Sequence, residues 1–126
     1  MANINKVFIS GNVVADCEKK QAGETPIIEF TVAVNESRRN KQTNSYDNYA
    51  NFIDCTMFGS RAKSVSNSVV KGTKVFIEGH LRHSRWEKDG EKRSKVSIIV
   101  DELEFNSYDL HDNAGKHAQT DEIPWD

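Results

Sequence analysis

The chain has 126 residues and a mass of 14.3 kDa, enough for one domain and too little for a second full core. With 37% hydrophobic and 29% charged residues, two prolines and seven glycines, it is neither a proline-rich nor a collagen-like filament, and no apolar run is long enough to span a membrane. The formal charge of −2 hides a split: from Ser107 onward five acids face Lys116 alone, leaving a body of +2 and a tail of −4, which suggests a polyanion partner for the body and another partner for the tail.

The opening residues Met1 to Lys6 have no basic segment leading into a long apolar run, so no secretory signal is expected and the protein is expected to stay in the cytoplasm. Lys6 to Val14 reads as a first strand, with Gly11 marking a bulge or sharp bend. A polar loop from Glu18 to Thr25 and then Pro26 lead into a second strand, Ile27 to Val34, whose Ile28, Phe30, Val32 and Val34 share one face. The stretch from Asn35 to Asn51 is too polar to bury and reads as a projecting loop or flexible hairpin. The third strand is Asn51 to Gly59. A helix from Ser60 to Val70 follows, N-capped by Ser60 and ended by Gly72. Strand four, Lys74 to Trp86, turns at Asp89-Gly90 into strand five, Lys92 to Phe105.

Strand, strand, strand, helix, strand, strand is the order of an OB-fold. The expected fold class is therefore all-β, a five-stranded barrel with one short helix between strands three and four, closed with the help of Gly11 and Gly79. That domain is assigned to residues 1–106. Residues 107–120, poor in apolar side chains, read as a disordered linker. Residues 121–126, Asp121-Glu122-Ile123-Pro124-Trp125-Asp126, form an acidic tip whose Ile-Pro-Trp run has little use unless another molecule reads it.

The fold alone proves no function. On the third strand Phe52, Asp54, Thr56 and Phe58 share one face and Ile53, Cys55 and Met57 the other. If the aliphatic face is the core, two phenylalanines stand outside. Trp86 lies among Arg82, Arg85 and Lys88. Aromatic rings among cations on an outer face suit the stacking of unpaired bases; each of the three could instead be a core or barrel-capping residue. Cys17 and Cys55 have no CxxC spacing, and His80, His83, His111 and His117 no ligand spacing, so reduced thiols, no metal and no cofactor are expected.

Several stretches resemble the bacterial-type single-stranded DNA-binding proteins of the tetrameric family. They are Asn5-Lys6-Val7, Gly11-Asn12, Phe58-Gly59, the run from Lys71 to Arg82 leading to Trp86, and Ile123-Pro124 after acids. The resemblance covers about residues 4–106 and the last six. It implies stacking of bases on Phe52, Phe58 and Trp86, and phosphate contacts from Lys6, Lys41, Lys71 and Arg85. Many relatives carry a further stacking tryptophan where this chain has Arg38, whose guanidinium can both stack and pair with phosphate. Family members end in Ile-Pro-Phe with a free carboxylate, whereas here Trp125 replaces the phenylalanine and Asp126 follows.

The expected protein is thus a non-catalytic one that coats single-stranded DNA without strong sequence preference. As a homotetramer, associated with the nucleoid, it would recruit replication, recombination and repair proteins through its tip. Two other classes were weighed. An OB-fold adaptor that binds only proteins would lack outward stacking aromatics. A nuclease would need clustered carboxylates or a histidine acid–base pair, and Asp101, Glu102 and Glu104 read as ordinary surface charges. The altered tip leaves a housekeeping and a phage or mobile-element copy both open.

Overall fold

The computed structural model describes residues 3–106; the linker and the tip lie outside the described residues. Six strands and one helix follow in order: β1 (Val7–Val13), β2 (Glu18–Ala22), β3 (Thr25–Asn40), β4 (Ser45–Phe58), α1 (Ser60–Val65), β5 (Lys74–Lys88) and β6 (Glu91–Phe105).

The sheet runs β1-β5-β6-β4-β3-β2, and β1 returns to pair with β3, so five strands close into a barrel with β2 added at an edge. All pairings are antiparallel except β4–β6. Two seams are thin. Beside β3, β1 pairs only through Asn12 and Val13; between β4 and β6 only Cys55↔Ile98 and Thr56↔Ile99 are in register. This is the partly open OB barrel the element order predicts.

Gly11 and Gly79 show how closely the barrel is drawn together. Both are buried, and a Cβ on Gly11 would collide with the Ala33 carbonyl, one on Gly79 with that of Ile99. Gly79 also adjoins the register shift between β5 and β6, where Glu78 faces Glu102 but Gly79 faces Val100. Only a residue without a side chain lets the strands approach so closely.

The core gathers Val13, Ile28, Val32, Met57, Val75 and Leu103 from the strands, joined by Ala62 and Val65 of α1 and by Val69 after it. Three readings of the sequence need correction. The segment read as a polar loop contains β2, fully exposed yet paired with β3 from Glu18↔Glu29 to Ala22↔Thr25. Main-chain bonds and the Lys20–Glu29 ion pair join it to β3 with no buried apolar side chain of its own, so no apolar alternation marks it. Of the projecting loop or flexible hairpin expected at 35–51, a hairpin forms, but as an ordered ribbon, because β3 and β4 stay paired out to Asn40↔Ser45. At its tip Asn40 Oδ1 accepts the Gln42 and Thr43 amides at 2.9 and 3.3 Å, closing a four-residue turn. The helix is shorter than expected. It ends at Val65, and its N-cap is Gly59 at φ 97° with no side-chain cap bond, not Ser60. The Asp89-Gly90 turn behaves as expected, both residues having positive φ, 54° and 81°.

Candidate nucleic-acid interface

Strand alternation decides which side chains of β4 meet water. Cys55 and Met57 point into the core and Ile53 packs against it, while Phe52, Asp54, Thr56 and Phe58 face outward. Phe52 is 66% exposed and Phe58 42%. Phe52 lies opposite Ala33 and Phe58 opposite Ile27, so the small alanine leaves the first ring uncovered.

Register carries this face across the sheet to Trp86. Outward-facing Thr56 is level with Ile99 on β6, and steps of two along β6 lead through Ser97 and Lys95 to Arg93, the cross-strand partner of Trp86. A contact confirms the path: Lys95 Nζ lies 3.5 Å from Asp54 Oδ2. Trp86 is 43% exposed and borders a hollow of about 400 Å³ lined by His83, Arg85, Lys92 and Arg93 together with Glu87 and Ser94. All three aromatic residues therefore sit on one outer face, with cations around the tryptophan.

The candidate phosphate contacts are spread around it. Arg38 faces Asp47 across the ribbon, on the side opposite Phe52; the side shared with Phe52 carries Arg39 opposite Tyr46. Lys41 is exposed at the ribbon tip, where a second hollow of about 400 Å³ is lined by Arg38, Arg39, Lys41 and Tyr49. Lys71 is exposed before β5, its main-chain N–H donating to Asp16 Oδ1 at 2.9 Å. Arg85 is exposed and within 3.5 Å of His83 Nδ1. Lys6 is engaged differently: its ammonium pairs with Glu78, and that hydrogen bond and charge raise its pKa above the usual lysine value. A phosphate at Lys6 would have to compete with that carboxylate. Asp121, Glu122, Ile123, Pro124, Trp125 and Asp126 fall outside the described residues.

Reading the residues one strand at a time missed Arg93, Lys95 and Tyr46. The first two were within reach, because the Asp89-Gly90 turn sets the register that puts Arg93 opposite Trp86. Tyr46 stayed hidden with the ribbon itself. Among the described residues, no group of three His, Cys, Asp or Glu side chains is placed to hold a metal ion, and no helix is long and apolar enough to cross a membrane.

Comparison with known proteins identifies the family. A single-stranded DNA-binding protein of Treponema pallidum is 39% identical over 107 residues, covering 83% of this chain and 59% of that protein. The corresponding protein of Borreliella burgdorferi is 34% identical over 110 residues, 85% of this chain and 72% of that one. Among solved structures, a Plasmodium falciparum SSB complex with ssDNA superposes with a TM-score of 0.75 at 20% identity, covering 84% of this chain and 97% of that one. A deletion mutant of the Thermus aquaticus single-stranded DNA binding protein gives 0.72 at 23%, covering 82% and 50%. At such identities the structural likeness speaks for the fold. The description of the Single-strand binding protein family matches residues 4–106, essentially the whole described barrel, and the chain belongs to that family.

Proposed function

We propose that the protein binds single-stranded DNA without strong sequence preference and without catalysing a reaction, in the manner its relatives' names describe. The observation that carries this reading is the outer face itself: Phe52, Phe58 and Trp86 exposed along one register path, with Arg85, Lys92 and Arg93 beside the tryptophan. Bases stack on the rings, which is sequence-tolerant because every base has a π-face. Arg38, Lys41, Lys71 and Arg85 neutralise phosphates, and Lys6 does so when it leaves Glu78. A strand held this way cannot reanneal or fold on itself, a use in DNA replication, recombination and repair in the cytoplasm, at the nucleoid.

One barrel with three stacking rings binds weakly, and a homotetramer makes the later contacts intramolecular. Supporting this, Phe8 and Phe76 are 71% and 51% exposed on the outer side of β1 and β5. They border a hollow of about 440 Å³ that also touches Ile9 and Glu104. The Val7–Gly11 segment of β1 is paired with β5 alone, so its other edge is open to a second chain. The acidic tip, with Ile123, Pro124 and Trp125, suits an apolar pocket with a basic rim on replication, recombination or repair proteins.

The test is anisotropy of a labelled oligo-dT titrated with the protein over a range of salt. Log affinity is expected to fall by about 0.7 per log unit of salt for each phosphate neutralised. Trp86→Ala is expected to cost about 1–3 kcal/mol per site. A flat salt response together with an unaffected Trp86→Ala variant overturns the reading.

A further inference from the structure

Between the rings of Phe52 and Phe58, the outer face of β4 carries a carboxylate where a DNA-binding surface would be expected to carry a cation. Asp54 is fixed from two sides: Thr31 Oγ1 donates to its Oδ1 at 2.9 Å, and Lys95 Nζ stands 3.5 Å from its Oδ2. An ionised carboxylate offers about four lone-pair directions, so acceptor capacity remains after both contacts. The side chain is 48% exposed, leaving that capacity open on the face where the rings stand. Its neighbour Glu29 is held more tightly, by Lys20 at 2.9 Å. An exposed Lys–Asp pair adds little to stability, so support of the fold is a weak reason for an acid at this position.

A fixed carboxylate repels phosphate and favours hydrogen-bond donors. Asp54 is two residues from Phe52, about 7 Å along a strand, so a base stacked on that ring brings its edge to the carboxylate. Resting on the single-strand reading, we propose that Asp54 is a specificity-determining residue that reads the edges of stacked bases and favours those bearing an amino group over thymine. Cytosine presents its N4 amine, adenine its N6 amine, and guanine the adjacent N1–H and N2 amine, which match two carboxylate oxygens. Thymine presents one N–H flanked by two carbonyl oxygens, which the carboxylate repels. Thr31 is the positioning residue, its hydroxyl holding Oδ1 at 2.9 Å, while Lys95, at 3.5 Å, partly neutralises Oδ2 and draws the backbone to the rim of the face. The result is a modest preference laid over sequence-tolerant stacking.

The experiment compares affinities of the full-length protein for oligo-dC and oligo-dT of equal length, with Asp54→Asn and Lys95→Ala beside it and thermal melts to confirm folding. An asparagine amide both accepts and donates, so Asp54→Asn is expected to lower the dC-to-dT affinity ratio by about threefold to tenfold, mainly by strengthening dT binding. This straddles the bottom of the range for one good base contact, because the carboxylate is half exposed. Lys95→Ala is expected to weaken both oligonucleotides and to keep or widen the ratio, and it serves as the test should Asp54→Asn fail to fold. A ratio unchanged by Asp54→Asn, or abolished by Lys95→Ala, overturns the proposal. Failure of the unaltered protein to bind either oligonucleotide would instead overturn the single-strand reading beneath it, a distinguishable result.

Discussion

Cys55 lies on the core side of β4, directly behind the face that carries Asp54, and burial pushes its thiol pKa up from 9.0 to about 12, with the Asp54 charge adding to the shift. The folded chain therefore holds a proton that the unfolded chain gives up. The stability linked to this group is complete below pH 9 and is lost as pH rises from there toward about 12. Lys6 and Lys20, raised by their hydrogen bonds to Glu78 and Glu29, act in the same direction at higher pH, since their pairs survive until the ammonium deprotonates. Urea melts from pH 8 upward are expected to show stability falling by up to about 1.4 kcal/mol per pH unit in excess of a Cys55→Val variant. Parallel curves for the two proteins would mean that the thiol ionises equally in both states. At this scale the chain was well legible. Strand parity put Cys55 and Met57 on one face and Phe52 and Phe58 on the other, because the period of a strand is two whatever it packs against, and burial of the first pair decides which face is inward.

The β3–β4 ribbon was much less legible. Its outer part has polar residues on both sides and hence no apolar alternation; it is held by the main-chain ladder and by local side-chain bonds. Asn51 Nδ2 donates to Glu36 Oε2 at 2.9 Å, Asn40 Nδ2 to Asp47 Oδ2 at 3.1 Å, and an Arg39 guanidinium N–H to Asn44 Oδ1 at 2.6 Å. The ribbon carries Arg38, Arg39 and Lys41 out beyond the barrel on an ordered arm, which costs less ordering entropy on binding than a floppy loop would. Arg38 makes no ion pair among the described residues, although Asp47 is its cross-strand neighbour. Arg38→Ala is therefore expected to reduce the slope of log affinity against log salt by about 0.7 for oligo-dT. Lys6→Ala, whose ammonium already has Glu78, is expected to change the slope less. Equal slopes for the unaltered protein and Arg38→Ala would remove the arm from the phosphate contacts.

For the whole molecule, β1 closes the barrel at one end and, in the proposed homotetramer, offers its other end to a second chain. Its C-terminal end is used at the seam with β3, while Phe8 stands exposed further up, level with Glu78 and beside Phe76. Two large rings left in water on one surface are costly for a lone chain and useful to an assembly. On the proposed homotetramer, Phe8→Glu is expected to lower the mass seen by light scattering while leaving the far-UV circular dichroism unchanged, since the ring contributes little to the core. Affinity for long oligo-dT is expected to fall with it, as the linked surfaces separate. An unchanged mass would place the contact between chains on another face.

Taken by itself, the amino-acid order determined whatever depends on local pattern: the two faces of each strand, the Asp89-Gly90 turn, the place of the helix between the third and fourth long strands, and Gly11 and Gly79 as points where the barrel closes. It also held the family resemblance, which lies in a run of adjacent residues. Tertiary structure decided everything that depends on register between distant strands. That includes the added edge strand β2, the ordered ribbon, the path from Phe58 through Lys95 to Trp86, and the meeting of Thr31, Asp54 and Lys95, which come from three strands. The reason is physical. Side-chain alternation is set within one strand, but which residue faces which across a barrel is settled only when loops close and the core packs, and a shift of one residue would exchange the two faces.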